Sequence, residues 1–168
     1  MKIELKRLAL NKRLSEETNC YSAEIWIDGR RAFLASNRGH GGADVYELVG
    51  TVTEKAVDDW LRANRPPVQV SGMQIEHSLE IEVGELIELE EQVKLLKRRC
   101  RTHLITIEAE GVFSRPLKGR PAAAMAAAFK LRHADAIIVN GASDDTIRTA
   151  ARSIIDASRS AEDQGGEP

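Results

Sequence analysis

The chain has little that would support a disulfide framework or a membrane span. It contains two cysteines, Cys20 and Cys100, and neither belongs to a CxxC pair. This usage excludes a disulfide-stapled fold and favours a reducing compartment. No run approaches the ~18 apolar residues that cross a bilayer, and the charged start at residues 1–6 lacks the apolar core of a signal peptide. We therefore expect a cytoplasmic protein without a membrane partner.

Aromatic residues and net charge are also scarce. Aromatic side chains make up 4% of the 168 residues, and the formal net charge is −2. The few aromatics argue against a base-stacking platform, and the charge balance gives the whole chain no attraction to nucleic acid. Hydrophobic residues reach 42% and charged residues 30%, as in an ordinary globular domain. We expect one domain over 1–160, with 1–65 and 79–160 as an alternative subdivision, and a flexible tail at 161–168.

A β-hairpin is the clearest local signal. Apolar and polar residues alternate from Tyr21 to Asp28, and the return strand covers 31–37. Asp28-Gly29 between two such runs is typical of a tight hairpin turn, because glycine accepts a positive φ. A loop at Asp28-Gly29 would pair Ile25 with Ala32. A loop at Gly29-Arg30 would pair Ile25 with Leu34 and Trp26 with Phe33; we prefer this register for its aromatic pair.

The other elements predict an α+β fold, with an N-terminal antiparallel hairpin or meander sheet packed by helices. Residues 2–10 suit a strand whose phase shifts at a bulge. Thr51 and Glu54 fit a capping box for a helix that Pro66 ends. The remaining expectations are a strand at 44–48, a linker at 66–78, a long central helix from near 79 or 85 to 101, and a C-terminal β-α-β-α segment in which 111–120 is a basic loop. The last helix of this segment follows a turn at 140–143 and carries an apolar stripe, formed by Ile147, Ala150, Ala151, Ile154 and Ile155.

The long helix carries an apolar seam and a split charge. Acidic residues fill its first half and basic residues its last, which complements the helix macrodipole. The seam could pair two copies of the chain, so a homodimer through helix 85–101 is one expectation, although it is shorter than most coiled coils. The seam residues are Leu86, Leu89, Val93, Leu96 and Cys100.

A glycine-rich loop follows the hairpin and is the first candidate site. Glycines let backbone N–H groups approach an anion, and a histidine among them could transfer protons. The loop matches neither a GxxxxGK[ST] phosphate loop nor a GxGxxG turn, and the chain has no GxSxG elbow. Turn formation is the simpler interpretation. The candidate ligand- or anion-binding residues are Arg38, Gly39, His40, Gly41, Gly42 and Asp44.

A basic segment over 94–120 is the second candidate. It contains eight lysines and arginines against two acids, Glu108 and Glu110. Such an excess can neutralise nucleic-acid phosphates, although a solvated helix end followed by a basic loop is the simpler interpretation. The candidate residues are Lys94, Lys97, Arg98, Arg99, Arg101, Arg115, Lys118 and Arg120.

Metal and catalytic signatures are missing from the pattern. The four histidines are scattered, and no two of them lie at i, i+3 or i+4 with a carboxylate at ligand spacing. We therefore expect no metal site, no cofactor and no catalytic residue.

The order of motifs in the first part of the chain resembles a group of small proteins. These motifs are Leu14-Ser15-Glu16-Glu17-Thr18, then Asp28-Gly29, then Asn37 to Gly42. Over roughly the first 45 residues, they resemble small uncharacterised proteins found in bacteria, often on phages and plasmids. The resemblance implies a mobile-element accessory protein and supplies no catalytic residue.

Together these patterns predict a non-enzymatic accessory or regulatory binding protein whose partner is a protein or a nucleic acid. Two alternatives remain. One is a small enzyme or ligand-binding domain that uses the Gly39–Gly42 loop with His40. The other is a nucleic-acid-binding protein that uses the basic 94–120 segment.

Overall fold

The computed structural model describes residues 1–70 and 73–164, and these form a mixed α+β fold, as predicted. Part of the predicted linker 66–78 and of the predicted tail 161–168 lies outside the described residues. The elements in chain order are β1 (Ile3–Leu10), β2 (Cys20–Ile27), β3 (Arg30–Arg38), β4 (Val45–Leu48), α1 (Glu54–Asn64), β5 (Val68–Val70), β6 (Met73–Ile75), α2 (Leu79–Arg99), β7 (His103–Glu108), β8 (Gly111–Pro116), α3 (Ala122–Lys130), β9 (Ile137–Ile138) and α4 (Asp144–Gln164).

The fold divides into two compact units, and the boundary falls within α2. Unit 1 comprises residues 1–87, and unit 2 begins at Glu88. Each unit has its own hydrophobic cluster. None of the helices in the described part of the chain is long and apolar enough to cross a membrane.

Unit 1 contains the predicted meander, an antiparallel sheet in the order β1-β2-β3-β4. Its hairpin turns at Asp28-Gly29, where both residues have positive φ (48° and 78°), as a type I′ turn requires. The preferred register was wrong, because Trp26 lies opposite Arg31 and Ile25 opposite Phe33. A bulge between Ile25 and Trp26 shifts the pairing by one residue, which neither predicted register allowed for.

The predicted irregularity in the first strand is confirmed. The pairing of β1 with β2 shifts between Lys6 and Ala9, and Arg7 within this gap has a φ of 53°. This left-handed conformation is costly for a residue with a Cβ. The bulge turns the Arg7 side chain towards the Glu24 carboxylate, 3.0 Å away.

In the core of unit 1, one face of the sheet packs against α1 and against the part of α2 that belongs to unit 1. The inward residues of β2 are buried, as the alternation predicted, and Val57 and Leu61 of α1 are fully buried. The capping prediction was wrong by two residues: Thr53 is the N-cap of α1 and its Oγ1 accepts from Ala56 N. Strands β5 and β6 pair within the segment predicted as a linker.

Unit 2 contains a three-stranded antiparallel sheet in the order β8-β7-β9. The β-α-β-α prediction was wrong at 111–116, which forms β8 rather than a basic loop. The chain reverses at Gly111, whose φ is 132°, and Val112 and Phe113 then pair with Ile107 and Thr106. The predicted apolar stripe of α4 is confirmed, since Ile147, Ala150, Ala151 and Ile155 are buried. Helix α4 continues to Gln164, into the predicted tail.

Candidate functional site

The glycine-rich loop packs closely on the polar segment that joins β1 to β2. The carbonyl oxygen of Gly39 accepts hydrogen bonds from three consecutive backbone N–H groups, those of Glu16, Glu17 and Thr18, at 3.0, 3.1 and 3.4 Å. A Cβ built on Gly39 would lie 2.0 Å from the Leu14 carbonyl oxygen. Gly39 is therefore needed because two backbone segments approach closely, and because its φ is +88°.

Backbone amides of this loop donate within unit 1. Gly39 N donates to Asn37 Oδ1 at 2.8 Å, and Gly41 N lies 3.3 Å from Thr18 Oγ1. An anion site needs such groups to point at a ligand, so two of the predicted donors are already used. His40 lies at the surface, and its Nδ1 is 3.1 Å from Glu16 Oε2. Arg38 and Gly42 are exposed at either end of the loop.

Asp44 anchors the far side of the loop. Its carboxylate accepts from the hydroxyl groups of Tyr21 at 2.5 Å and Tyr46 at 2.9 Å, and from Asn37 Nδ2 at 2.9 Å. Burial, followed by the hydrogen bond to Asp44, holds the pKa of Tyr21 well above its ordinary value of 10.0. Burial is also the first cause of the raised pKa of Tyr46. These phenols stay protonated and donate to Asp44, which stabilises the loop.

The basic segment is brought together by the register of the β7–β8 hairpin in unit 2. His103, the first residue of β7, pairs with Pro116, the last residue of β8. Leu117 N then donates to the Thr102 carbonyl oxygen at 2.9 Å. Arg101 therefore lies at the same end of the hairpin as the turn 118–120, although the two are separated in sequence by the whole hairpin.

Three of the eight predicted basic residues are engaged within unit 2. Lys97 lies 2.8 Å from Asp144, and Arg99 Nε donates to Ser114 Oγ at 3.0 Å. Arg115 lies 2.7 Å from Glu108. The hydrogen bond from Lys97 is the main cause that lowers the pKa of Asp144. These side chains hold unit 2 together and offer less free charge than the sequence suggested.

Arg115 is the most enclosed of the three. Its guanidinium also donates to Thr106 Oγ1 at 2.7 Å and lies 4.4 Å from the centre of the Phe129 ring. The hydrogen bond from Arg115, followed by that from Thr106, lowers the pKa of Glu108. The planar guanidinium suits this bidentate and stacked geometry, so Arg115 joins β8 to β7 and α3.

The other five basic residues are exposed, and none makes an ion pair with a described residue. Four of them lie in the last turn of α2, in the turn before β7 and in the turn after β8, and we call them the basic end of unit 2. They are Arg98, Arg101, Lys118 and Arg120. Lys94, the fifth, lies one turn further back along α2.

Asn140 positions the basic end, and the sequence pattern did not identify this role. Its Nδ2 donates to the carbonyl oxygens of Cys100 and His103 at 2.9 and 2.8 Å, and its Oδ1 accepts from Ile105 N at 2.7 Å. The Asn140 side chain thus fixes the position of the turn between α2 and β7, which carries Arg101. The sequence predicts the turn 140–143 only as a helix start, because the carbonyl groups that Asn140 binds are about forty residues away.

A second group missed by sequence reasoning lies in unit 1. His77 precedes α2, and its Nε2 is 3.0 Å from Glu82 Oε2. Glu85 is one turn further along α2, and one ligand atom from each of the three side chains lies within 4.8 Å of the others. The spacing from His77 to Glu82 spans the start of a helix, so a search at i+3 or i+4 passes over it.

The fold and these clusters define a mixed α+β chain with one basic end and a loop stabilised by internal hydrogen bonds. No protein-family model matches the chain, and no curated protein or solved structure matches it.

Proposed function

We propose that the protein is a non-enzymatic binding protein that holds nucleic acid through the basic end of unit 2. The observation that supports this is the convergence of four exposed cations without ion-pair partners in the described chain. Phosphate groups are the ligands that such a cluster neutralises, with release of counterions. The net charge of −2 leaves this local excess as the source of attraction.

Several observations favour nucleic acid over the other partners considered. Leu89, Val93 and Leu96 are buried in the core of unit 2, so the predicted dimer seam is used within the chain. The amides of Gly39 and Gly41 already have acceptors, which weakens the case for a ligand site at the glycine-rich loop. The resemblance of the N-terminal motifs to phage- and plasmid-borne proteins supports an accessory role on a mobile element.

The test is fluorescence anisotropy with labelled duplex DNA, single-stranded DNA and RNA at low salt. Four phosphate contacts predict a log–log salt slope of about −3.6 for duplex DNA. The double variant Arg101→Gln/Arg120→Gln should lower the magnitude of this slope by about 2.

The matched control is Arg13→Gln/Arg30→Gln, which removes the same charge from exposed positions of unit 1 and should leave the slope unchanged. Absence of any anisotropy change with all three nucleic acids would overturn the proposal. Equal effects of both double variants would show that net charge, rather than the basic end, controls binding.

A further inference from the structure

The start of α2 gathers three metal-ligating side chains in a largely buried position. His77 is 4% exposed and Glu82 is 6% exposed, while Glu85 is half-buried. Glu82 and Glu85 are three residues apart on one helix, so they lie on the same face. His77 reaches this face from the residues before the helix. The fold thus places one imidazole and two carboxylates side by side.

The helix start is fixed by groups outside this cluster. Ser78 Oγ accepts from Ile81 N at 3.4 Å, and Asp58 Oδ1 accepts from Leu79 N at 2.7 Å. The first N–H groups of α2 therefore have acceptors without Glu82 or Glu85. The two glutamates are therefore not needed as caps of α2.

One atom in the cluster lacks a partner. Nδ1 of His77 is the sole buried side-chain nitrogen or oxygen, among the residues that the structure describes, with no hydrogen-bond partner. Buried polar atoms are satisfied in nearly all native proteins, and a bound water or ion is one explanation for an exception. Nε2, rather than Nδ1, is the ring nitrogen that faces Glu82. The His77 ring is thus only partly satisfied by the protein.

The two carboxylates can accept a cation. Two adjacent carboxylates in a largely buried position are costly unless positive charge compensates them. Arg65 supplies one such charge, with Nη2 3.3 Å from Glu82 Oε1. The other oxygen of Glu82 faces His77, so a metal ion can take Oε2 while the guanidinium holds Oε1. An outer partner of this kind orients a metal-binding carboxylate.

We propose that His77, Glu82 and Glu85 bind one divalent metal ion, with one ring nitrogen and two carboxylate oxygens as ligands. Nitrogen and oxygen donors in this proportion suit Zn²⁺ or Mn²⁺. The three ligand atoms lie within 4.8 Å of one another. Metal–ligand distances of about 2.0–2.2 Å require these atoms to move closer together when the ion binds. Three protein ligands leave further coordination positions for water.

Metal uptake by the full chain tests the site. The protein is treated with a chelator, exchanged into metal-free buffer, and titrated by calorimetry with ZnCl₂ and, separately, with MnCl₂. We expect about one equivalent of at least one of these ions to bind. Glu85→Gln should weaken binding about tenfold or more, as loss of a metal-site group does. Glu85 is half-buried, so this variant should fold even if His77→Gln does not.

Two controls separate the site from general attraction. Glu80→Gln removes the same charge from an exposed position in the first turn of α2, and His40→Ala removes a surface imidazole. Both should bind the metal as the wild type does. Failure of the wild type to bind either ion, or equal affinity of Glu85→Gln and Glu80→Gln, would overturn the proposal. Nucleic-acid binding is measured separately, so either proposal can fail alone.

Discussion

Replacement of Gly39 by alanine should destabilise unit 1 more than any other single-methyl change in the glycine-rich loop. The new Cβ would lie 2.0 Å from the Leu14 carbonyl oxygen and 2.9 Å from Cys20 Cβ, at a φ of +88°. The left-handed conformation alone costs an alanine about 1–2 kcal/mol. Relief of the backbone clash requires the loop to move away from residues 14–18.

That movement breaks the three hydrogen bonds that the Gly39 carbonyl accepts. At about 1 kcal/mol for each hydrogen bond, the total loss is roughly 4–5 kcal/mol. A domain of this kind has a free energy of unfolding of about 5–15 kcal/mol, so Gly39→Ala should leave unit 1 only marginally stable.

Gly42→Ala is the matched control. Gly42 lies in the same loop, a Cβ there would meet nothing within 4 Å, and its φ is not in the left-handed region. The free energy of unfolding should change by less than about 1 kcal/mol.

Urea denaturation followed by tryptophan fluorescence suits the measurement, because both tryptophans, Trp26 and Trp60, belong to unit 1. A free energy of unfolding for Gly39→Ala within about 1 kcal/mol of that for Gly42→Ala would refute the close-packing argument.

Two further predictions concern buried polar groups. Asn140→Ala removes three hydrogen bonds and should lower the stability of unit 2 by about 3 kcal/mol, as measured by far-UV circular dichroism in urea. Asn64→Ala is the control, because it removes one exposed hydrogen bond, from Asn64 Nδ2 to the Trp60 carbonyl oxygen. A loss for Asn140→Ala no greater than that for Asn64→Ala would contradict the prediction. Hydrogen bonding from Trp26, then from Arg31, holds the pKa of Glu24 below its ordinary value of 4.5. Ionised Glu24 therefore stabilises the folded state above that value, and this contribution is lost as the pH falls through the lower folded pKa. The stability advantage of wild type over Glu24→Gln should be full at pH 7 and vanish in acid, whereas a pH-independent difference would exclude the linkage.

The sequence predicted those elements that depend on interactions between residues close together in the chain. The Asp28-Gly29 turn and the apolar stripe of α4 follow from backbone sterics and helix periodicity within a few residues. The register beyond the turn did not, because the bulge at Ile25 and Trp26 depends on how the two strands pack. Strand β8 was missed for a similar reason: the sequence of Gly111–Pro116 has little strand character, and the pairing with β7 stabilises it.

In the candidate sites, too, some features were predictable from the sequence and others depended on tertiary contacts. The local excess of positive charge in 94–120 was visible in the sequence, but which cations are free was not. Lys97 and Arg115 are paired with Asp144 and Glu108, and these pairings depend on tertiary contacts.

The amino-acid sequence by itself determined the α+β class, the hairpin, the helices and the two segments worth inspecting, because composition and periodicity act over short distances. Only the tertiary structure decided how those segments are arranged and which of their groups are paired. It turned the glycines towards residues 14–18, joined Arg101 to the 118–120 turn through the β7–β8 register, and gathered His77, Glu82 and Glu85 across a helix start. The physical reason is that hydrogen bonds, close backbone contacts and ion pairs depend on distance in space, which spacing along the chain does not specify.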